Sequence, residues 1–368
     1  MALKEISQAG VSVWLDDLSR ERMIRAGKSS YLPDLIAQDF VVGVTTNPAI
    51  FSNAIATSEL YREDIEQLYR KGLHAESIIT ELTTSDVKQA CDFFLPVFDR
   101  SQGVDGRVSI EVDPRLARDT DGTIKQGKEL WDLVGAPNVL IKVPATAEGL
   151  PAIRSLTAAG ISVNVTIIFS VTRYQAVLEA FMSGLEDRLA QGSSIKEIHS
   201  VASFFISRVD TEIDARLKGS LKEDDFSSLR GRAALANARL AYEHFLHIKA
   251  SDRWRNIERN GGNIQRPLWA STGVKDPDYS PTMYVLELVA DQTVNTMPES
   301  TLTALRTSRE FSGDTITDRF DEARTTLSQL ADSGIEIEQV AVKLENEGIE
   351  KFIKPWNELI SVVERAKA

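Results

Sequence analysis

The sequence predicts an α/β chain folded as a (β/α)8 TIM barrel with additional helices, including a C-terminal helical extension. Three observations predict it: eight short β-branched or apolar runs recur along the chain, the segments between them have helical spacing, and the runs read as buried on both faces. Buried runs separated by helices indicate parallel strands, and an eightfold count favours a closed barrel over an open sheet. The chain has 368 residues, longer than the roughly 250 typical of such a barrel. One barrel domain over residues 1–368 is therefore expected, with a helical insertion at about 55–100 and C-terminal helices at about 318–366.

Taken in order, VSVWL (11–15) is the first strand and is followed at once by Asp16 and Asp17. FVVGVTT (40–46) is the second and runs into Asn47 and Pro48, a turn-capping pair. The stretch before the third strand, RVSIEV (107–112), exceeds a minimal parallel crossover and holds two helical segments, Thr57 to Arg70 and Ser85 to Phe98. Thr84, Ser85 and Asp86 supply helix-start chemistry for the second segment, and Pro96 is expected to bend or end it. NVLIKV (138–143), ISVNVTII (161–168), HSVASFF (199–205), RPLWAS (266–271) and QTVNTM (292–297) complete the eight. Lys218 to Asp225, charged and containing Gly219 and Ser220, reads as a solvent loop, and Ala233 to Ile248 as a long helix. After the last strand, two acidic amphipathic stretches, Asp318 to Leu330 and Ile337 to Glu364, should wrap the barrel. Phe352 and Trp356, about one helical turn apart, read as core packing.

Composition narrows the partners. Lys and Arg number 42 against 54 Asp and Glu, and the resulting −12 argues against nucleic acid or an anionic membrane, so any anion site is local. The start, MALKEISQAGVSVW, lacks the basic and apolar regions of a secretory signal. No run approaches the roughly 18 apolar residues of a membrane span, and a cytoplasmic protein is expected. Cys91 is the only cysteine, which excludes an intrachain disulfide and reads as a small buried residue. Among His74, His199, His244 and His247 only the last two share a helix face, with no third ligand nearby, so no metal is expected.

The most informative segment is NVLIKVPAT (138–146), which puts Lys142 inside an apolar strand that ends in proline. Burial favours the neutral amine of a lysine, the form that attacks a carbonyl, and barrel active sites form at the C-terminal ends of strands. Other strands carry polar groups at similar positions. Asp16 follows VWL, Asn47 ends VGVTTNP, Glu111 sits between Ile110 and Val112, Ser203 lies in VASFF, and Ser271 follows LWA. Asn164 and Thr166 alternate with Val163, Val165 and Ile167, which places both on one face. Polar groups on seven strands indicate a lined pocket.

In these segments the chain resembles the transaldolases, in their longer, actinobacterial-like bacterial form, within the class I Schiff-base aldolase superfamily. The resemblance is carried by VWLDDLSR (13–20), GVTTNPAIF (43–51), VSIEVDPRLA (108–117), VLIKVPATAEGL (139–150), ISVNVTIIFS (161–170) and SFFISRVD (203–210), in the family's order. It implies that Lys142 forms a carbinolamine and imine with a ketose phosphate. Asp16 would take and return protons in carbon–carbon cleavage; Asp17, where the family has a small polar residue, reads as a helix-start residue. Glu111 and Thr166 would hold a water that relays protons, and Asn47 and Asn164 would bind sugar hydroxyls. Ser203 and Arg208 match the serine and arginine of a phosphate-binding segment. Ser271 matches a serine on the seventh strand whose nearby family arginine is missing, leaving Lys275 as the candidate substitute.

The implied reaction is transfer of a dihydroxyacetone unit from sedoheptulose 7-phosphate or fructose 6-phosphate to glyceraldehyde 3-phosphate or erythrose 4-phosphate. This is chemistry of the non-oxidative pentose phosphate pathway, needing no metal or organic cofactor, by a monomer or homodimer. The nearest rival is a fructose-6-phosphate aldolase, which releases the three-carbon unit; those enzymes carry glutamine where Glu111 stands and tyrosine where Phe205 stands. A catalytically silent barrel predicts loss of the lysine or its proton carriers, all present here. A dehydrogenase is weaker still, because no GxGxxG follows the first strand.

Overall fold

Eight parallel strands hydrogen-bond in chain order and close β8 onto β1 in the computed structural model, which describes residues 2–24, 30–220 and 228–366. They are β1 Val11–Leu15, β2 Val41–Val44, β3 Arg107–Glu111, β4 Val139–Pro144, β5 Val163–Ile168, β6 Ser200–Phe205, β7 Arg266–Ala270 and β8 Thr293–Met297. Each lies inside one of the eight apolar runs, except that β4 extends one residue further to Pro144, and nearly every strand residue is buried, as expected of strands covered by helices outside and side chains within. Trp14 is fully buried, and a Cβ on Gly43 would come within 2.5 Å of its ring, so β2 requires glycine where the indole packs.

Register aligns the polar residues. Glu111 pairs with Lys142 across β3 and β4, and Lys142 pairs with Asn164 across β4 and β5. The β5–β6 ladder slips between Val165 and Ile168, and Ile167 adopts φ 58°, a left-handed conformation that a β-branched residue rarely holds. Such a bulge bends the strand just past Thr166, as bulges beside active sites do. After β4 the chain turns at Gly149, where a Cβ would lie 1.9 Å from the Pro144 carbonyl oxygen. Only glycine fits the exit from the lysine strand.

The insertion between β2 and β3 differs from expectation in its boundaries. Helices span Pro48–Thr57, Arg62–Arg70 and Ala75–Arg100, with Ser58 breaking the first expected segment. Thr84, Ser85 and Asp86 do not start a helix; they lie in the middle of Ala75–Arg100. The Thr84 hydroxyl satisfies itself on the Thr80 carbonyl at 2.7 Å, and buried Asp86 accepts from Arg20 and Tyr61, so cap-type residues serve here as packing groups. Pro96 does not end the helix either, which continues to Arg100 along a largely buried face.

Cys91 is fully buried, and burial pushes its thiol well above the ordinary range. The loop expected from Lys218 begins later, because the helix Ser207–Ser220 carries on through that residue, one Gly near a helix end being tolerable. The rest of that loop, 221–225, lies outside the described residues. The long helix is present at Ala233–Lys249. No helix among the described residues is long and apolar enough to cross a membrane.

Two helices follow the barrel, Phe320–Asp332 and Ile337–Arg365, the latter continuing through Pro355. The first packs on Ala233–Lys249. The second contacts Pro48–Thr57, Ala75–Arg100, Ser207–Ser220 and β5. Since Pro48–Thr57 follows β2 and Ser207–Ser220 follows β6, this last helix lies across the C-terminal mouth of the barrel.

Asp210, in the first turn of Ser207–Ser220, is 1% exposed and accepts from the Ala234 amide and the Tyr284 hydroxyl, each at 2.8 Å. Burial raises its carboxyl from 3.8 to about 7. A raised carboxyl contributes stability that is complete below 3.8 and lost as pH rises through about 7. The parent is therefore expected to lose stability relative to Asp210→Asn between about pH 4 and 8, by up to about 4 kcal/mol. Urea midpoints across that range check it; a pH-independent difference contradicts it.

Candidate active site

Lys142, the fourth residue of β4, is 4% exposed, and its Nζ donates to the Thr46 carbonyl at 3.0 Å. Glu111 Oε2 lies 3.3 Å from the same nitrogen, an ion pair between adjacent strands whose two side chains are almost wholly buried. Burial holds the Glu111 carboxyl above its ordinary range, Lys142 draws it back, and Asp16 raises it further. Among the described residues, neither Glu111 oxygen has a hydrogen-bond partner apart from that ammonium, and the buried Thr166 hydroxyl has none. Removing ions from water is expensive, so a pair in this position with unused hydrogen-bonding capacity is poor stabilisation and good chemistry.

Asp16 follows β1, its amide donating to the Met297 carbonyl of β8 at 2.9 Å. Its Oδ1 accepts from Thr45 Oγ1 at 2.7 Å, and that hydroxyl lies 2.6 Å from Thr296 Oγ1. Burial raises the Asp16 carboxyl, while Lys142 and the Thr45 hydrogen bond lower it. Asp17 is not the helix-start residue: Ser19 holds the N-cap position of the short helix Arg20–Met23, and Asp17 instead ion-pairs with Arg22. The neighbouring aspartates thus separate, Asp16 toward Lys142 and Asp17 toward the buried Arg22.

Asn164 Nδ2 donates to Ser109 Oγ at 2.9 Å, and its Oδ1 accepts from Ser203 Oγ at 2.7 Å. These three groups are buried and link β3, β5 and β6 at the level of the lysine. The Ser203 hydroxyl is therefore committed to Asn164. Asn47 caps Pro48–Thr57 by accepting from the Ile50 amide at 3.0 Å, which leaves its side-chain NH2 as the group open to a ligand.

Arg208 has a buried Nη1 with no hydrogen-bond partner among the described residues, and its guanidinium stands 5.3 Å from the Phe205 ring centre and 5.8 Å from that of Phe352. Burial pushes this guanidinium below its ordinary value, against the pull of Asp16, Glu111 and Glu347. Ser271, at φ 55°, places its hydroxyl 3.0 Å from that of Ser207, next to Arg208 in the chain. Lys275 stands apart. It is exposed and lines a recess of mixed charge with Asp210, Asp214, Asp276, Lys218 and Arg230, and no hydrogen bond or ion pair joins it to Arg208 or Ser271 among the described residues.

A buried lysine paired with a carboxylate, a second carboxylate at the strand ends and an uncommitted guanidinium form a site for attack on a carbonyl beside an anion. A family model described as transaldolase/fructose-6-phosphate aldolase matches residues 13–363. The chain belongs to this family. A transaldolase of Renibacterium salmoninarum is 53% identical, with 98% of this chain and 96% of the relative covered. Transaldolases of Mycolicibacterium smegmatis and Thermobifida fusca are 51% and 49% identical, each over 98% of this chain and over 96% and 97% of the relative.

Within the family match, several residues of the site escape a sequence reading. Thr45 and Thr46 lie in the quoted GVTTNP run, and Ser109 alternates with Glu111, so adjacency and period two could have flagged them. Ser207 is the neighbour of Arg208. Phe352 had no local signal, being brought over Lys142 by a helix far along the chain.

Proposed function

We propose that the chain is a transaldolase that moves a dihydroxyacetone unit between sugar phosphates through an imine on Lys142, acting in the cytoplasm as a monomer or homodimer. The whole chain, with its insertion and C-terminal helices, works as one barrel domain without a metal or organic cofactor. What supports this above all is the buried ion pair of Lys142 with Glu111, 3.3 Å apart at the C-terminal mouth of a family-typical barrel.

The chemistry follows from the groups at hand. Lys142 passes a proton to Glu111, whose burial-raised carboxyl accepts it, and the neutral amine adds to C2 of the ketose. Glu111 and Thr166 then relay protons, through a bound water, so that the carbinolamine oxygen leaves as water. The resulting iminium is the electron sink. Asp16 takes the C4 hydroxyl proton, the C3–C4 bond breaks, and its electron pair becomes the double bond of a three-carbon enamine on Lys142. The aldehyde phosphate leaves, a second one enters, and the enamine carbon attacks its carbonyl while Asp16 returns the proton. Asn164 and Asn47 hold hydroxyls of the retained unit. Arg208, with Ser271 and the adjacent Ser203 strand, binds the phosphate.

Incubation with fructose 6-phosphate and erythrose 4-phosphate should yield sedoheptulose 7-phosphate and glyceraldehyde 3-phosphate, and borohydride should leave a three-carbon adduct on Lys142, read by peptide mass. Folded protein that binds the ketose yet gives no adduct sinks the proposal. Arg208→Ala is expected to lower kcat/KM for the phosphorylated donor about 100-fold, the scale of the ~2–3 kcal/mol carried by hydrogen bonds to a charged group. An unphosphorylated ketose should be affected far less; equal loss with both would remove Arg208 from the phosphate site.

A further inference from the structure

Resting on the transaldolase reading, we infer that Phe352 is a positioning residue that keeps the enamine on Lys142 from being lost to water, and so sets transfer apart from release. Its ring centre is 5.7 Å from Lys142 Nζ and 5.8 Å from the Arg208 guanidinium carbon, and the residue is 6% exposed. One apolar ring therefore borders both the nucleophile and the phosphate-facing cation. It comes from the helix Ile337–Arg365, which lies across the barrel mouth and contacts β5 and elements following β2, β3 and β6. Close by on the same helix, a Cβ at Gly348 would meet Ile167, Phe169 and Arg208 at 3.6 to 3.7 Å, so this stretch sits directly on the strand ends.

The chemistry gives that position its consequence. The fragment is lost when the enamine carbon takes a proton to give an iminium and water adds to the iminium carbon. The carbinolamine then collapses: the C–N bond breaks, nitrogen keeps the electron pair and gains the proton lost by oxygen, and dihydroxyacetone departs. No oxidant or reductant enters, only water. An aromatic ring against Lys142 Nζ denies water one side of that carbon, whereas an acceptor aldehyde anchored by its phosphate on Arg208 is held in place to reach it. Phe205 borders Arg208, and among the described residues the ring against the lysine nitrogen is that of Phe352, so the shielding assigned to Phe352 is separate from Phe205.

Two rates, measured on the full chain, test this: dihydroxyacetone formed from fructose 6-phosphate without acceptor, and sedoheptulose 7-phosphate formed with erythrose 4-phosphate. In Phe352→Ala the ratio of release to transfer should rise about tenfold, a barrier change of ~1.4 kcal/mol, while the borohydride adduct still forms on Lys142. Phe352→Leu, which restores apolar bulk without a ring, should return the ratio close to the parent's. Phe352→Val carries the same comparison with a smaller rise if the alanine variant is unstable. A ratio unchanged in both truncations, with the adduct intact, overturns the inference and leaves Phe352 as packing. Absence of the adduct in the parent protein is a different result, and it removes the Schiff-base reading itself.

Discussion

Lys142→Ala is expected to abolish the borohydride adduct and to lower kcat/KM for transfer by about 10⁴-fold or more, the scale on which loss of a covalent nucleophile acts. Its second effect is on the fold. Glu111 loses the cation 3.3 Å away and stays in a site where burial already holds its carboxyl above the ordinary range. Breaking a buried pair by removing one partner typically destabilises by about 3–5 kcal/mol. Part of that is recovered if Glu111 takes up a proton, and the sign of the pH dependence follows. A carboxyl raised further in the folded state contributes stability at low pH that is lost as pH rises through its folded value. The variant should therefore approach the parent's stability in acid and fall behind it toward neutral pH. Adding Glu111→Gln should restore stability at neutral pH but no activity. Denaturant midpoints of the single and double variants, with borohydride trapping in parallel, read both effects. A variant that retains the adduct places the nucleophile elsewhere.

Asp16→Asn is expected to lower the transfer rate about 10²–10⁴-fold, the range of general acid–base catalysis, without preventing imine formation. The trapped species on Lys142 should change accordingly: fructose 6-phosphate should leave a six-carbon adduct, because the imine forms but the C3–C4 bond stays intact. Burial raises the Asp16 carboxyl, against Lys142 and the Thr45 hydrogen bond. The ionised base should then appear only above the ordinary 3.8, which displaces the acid limb of the parent's kcat/KM profile upward. That same raised value means that ionising Asp16 withdraws stability as pH rises, so Asp16→Asn should gain relative to the parent in alkali. Should the variant trap only the three-carbon unit, cleavage does not pass through Asp16, and Glu111 becomes the proton acceptor to test.

Much of the barrel could be read from residues in sequence. Period and length alone place all eight strands, because a parallel strand buried on both faces must be apolar throughout, and that run is local information. Helix boundaries were less readable. Thr84, Ser85 and Asp86 have the side chains of a helix start, yet tertiary packing of Ala75–Arg100 overrides that preference by supplying Asp86 with Arg20 and Tyr61. Asp17 shows the same thing, drawn to Arg22 instead of capping a helix. At the site, the lysine inside an apolar strand was conspicuous, and the family motifs gave its companions.

What the sequence by itself determined is the set of strands, their parallel order and the chemical identity of the groups at their ends. Those follow from patterns a few residues long. Only the tertiary structure decided which of those groups meet: that register sets Glu111 beside Lys142, that Asp16 is held by Thr45, that the Ser203 hydroxyl is spent on Asn164, and that Lys275 lies in a recess of mixed charge away from Arg208. It also decided that Phe352, on the last helix, stands over the lysine. The physical reason is that side-chain identity is local, whereas burial, pairing and the protonation they enforce depend on closing the barrel and laying the C-terminal helix across its mouth.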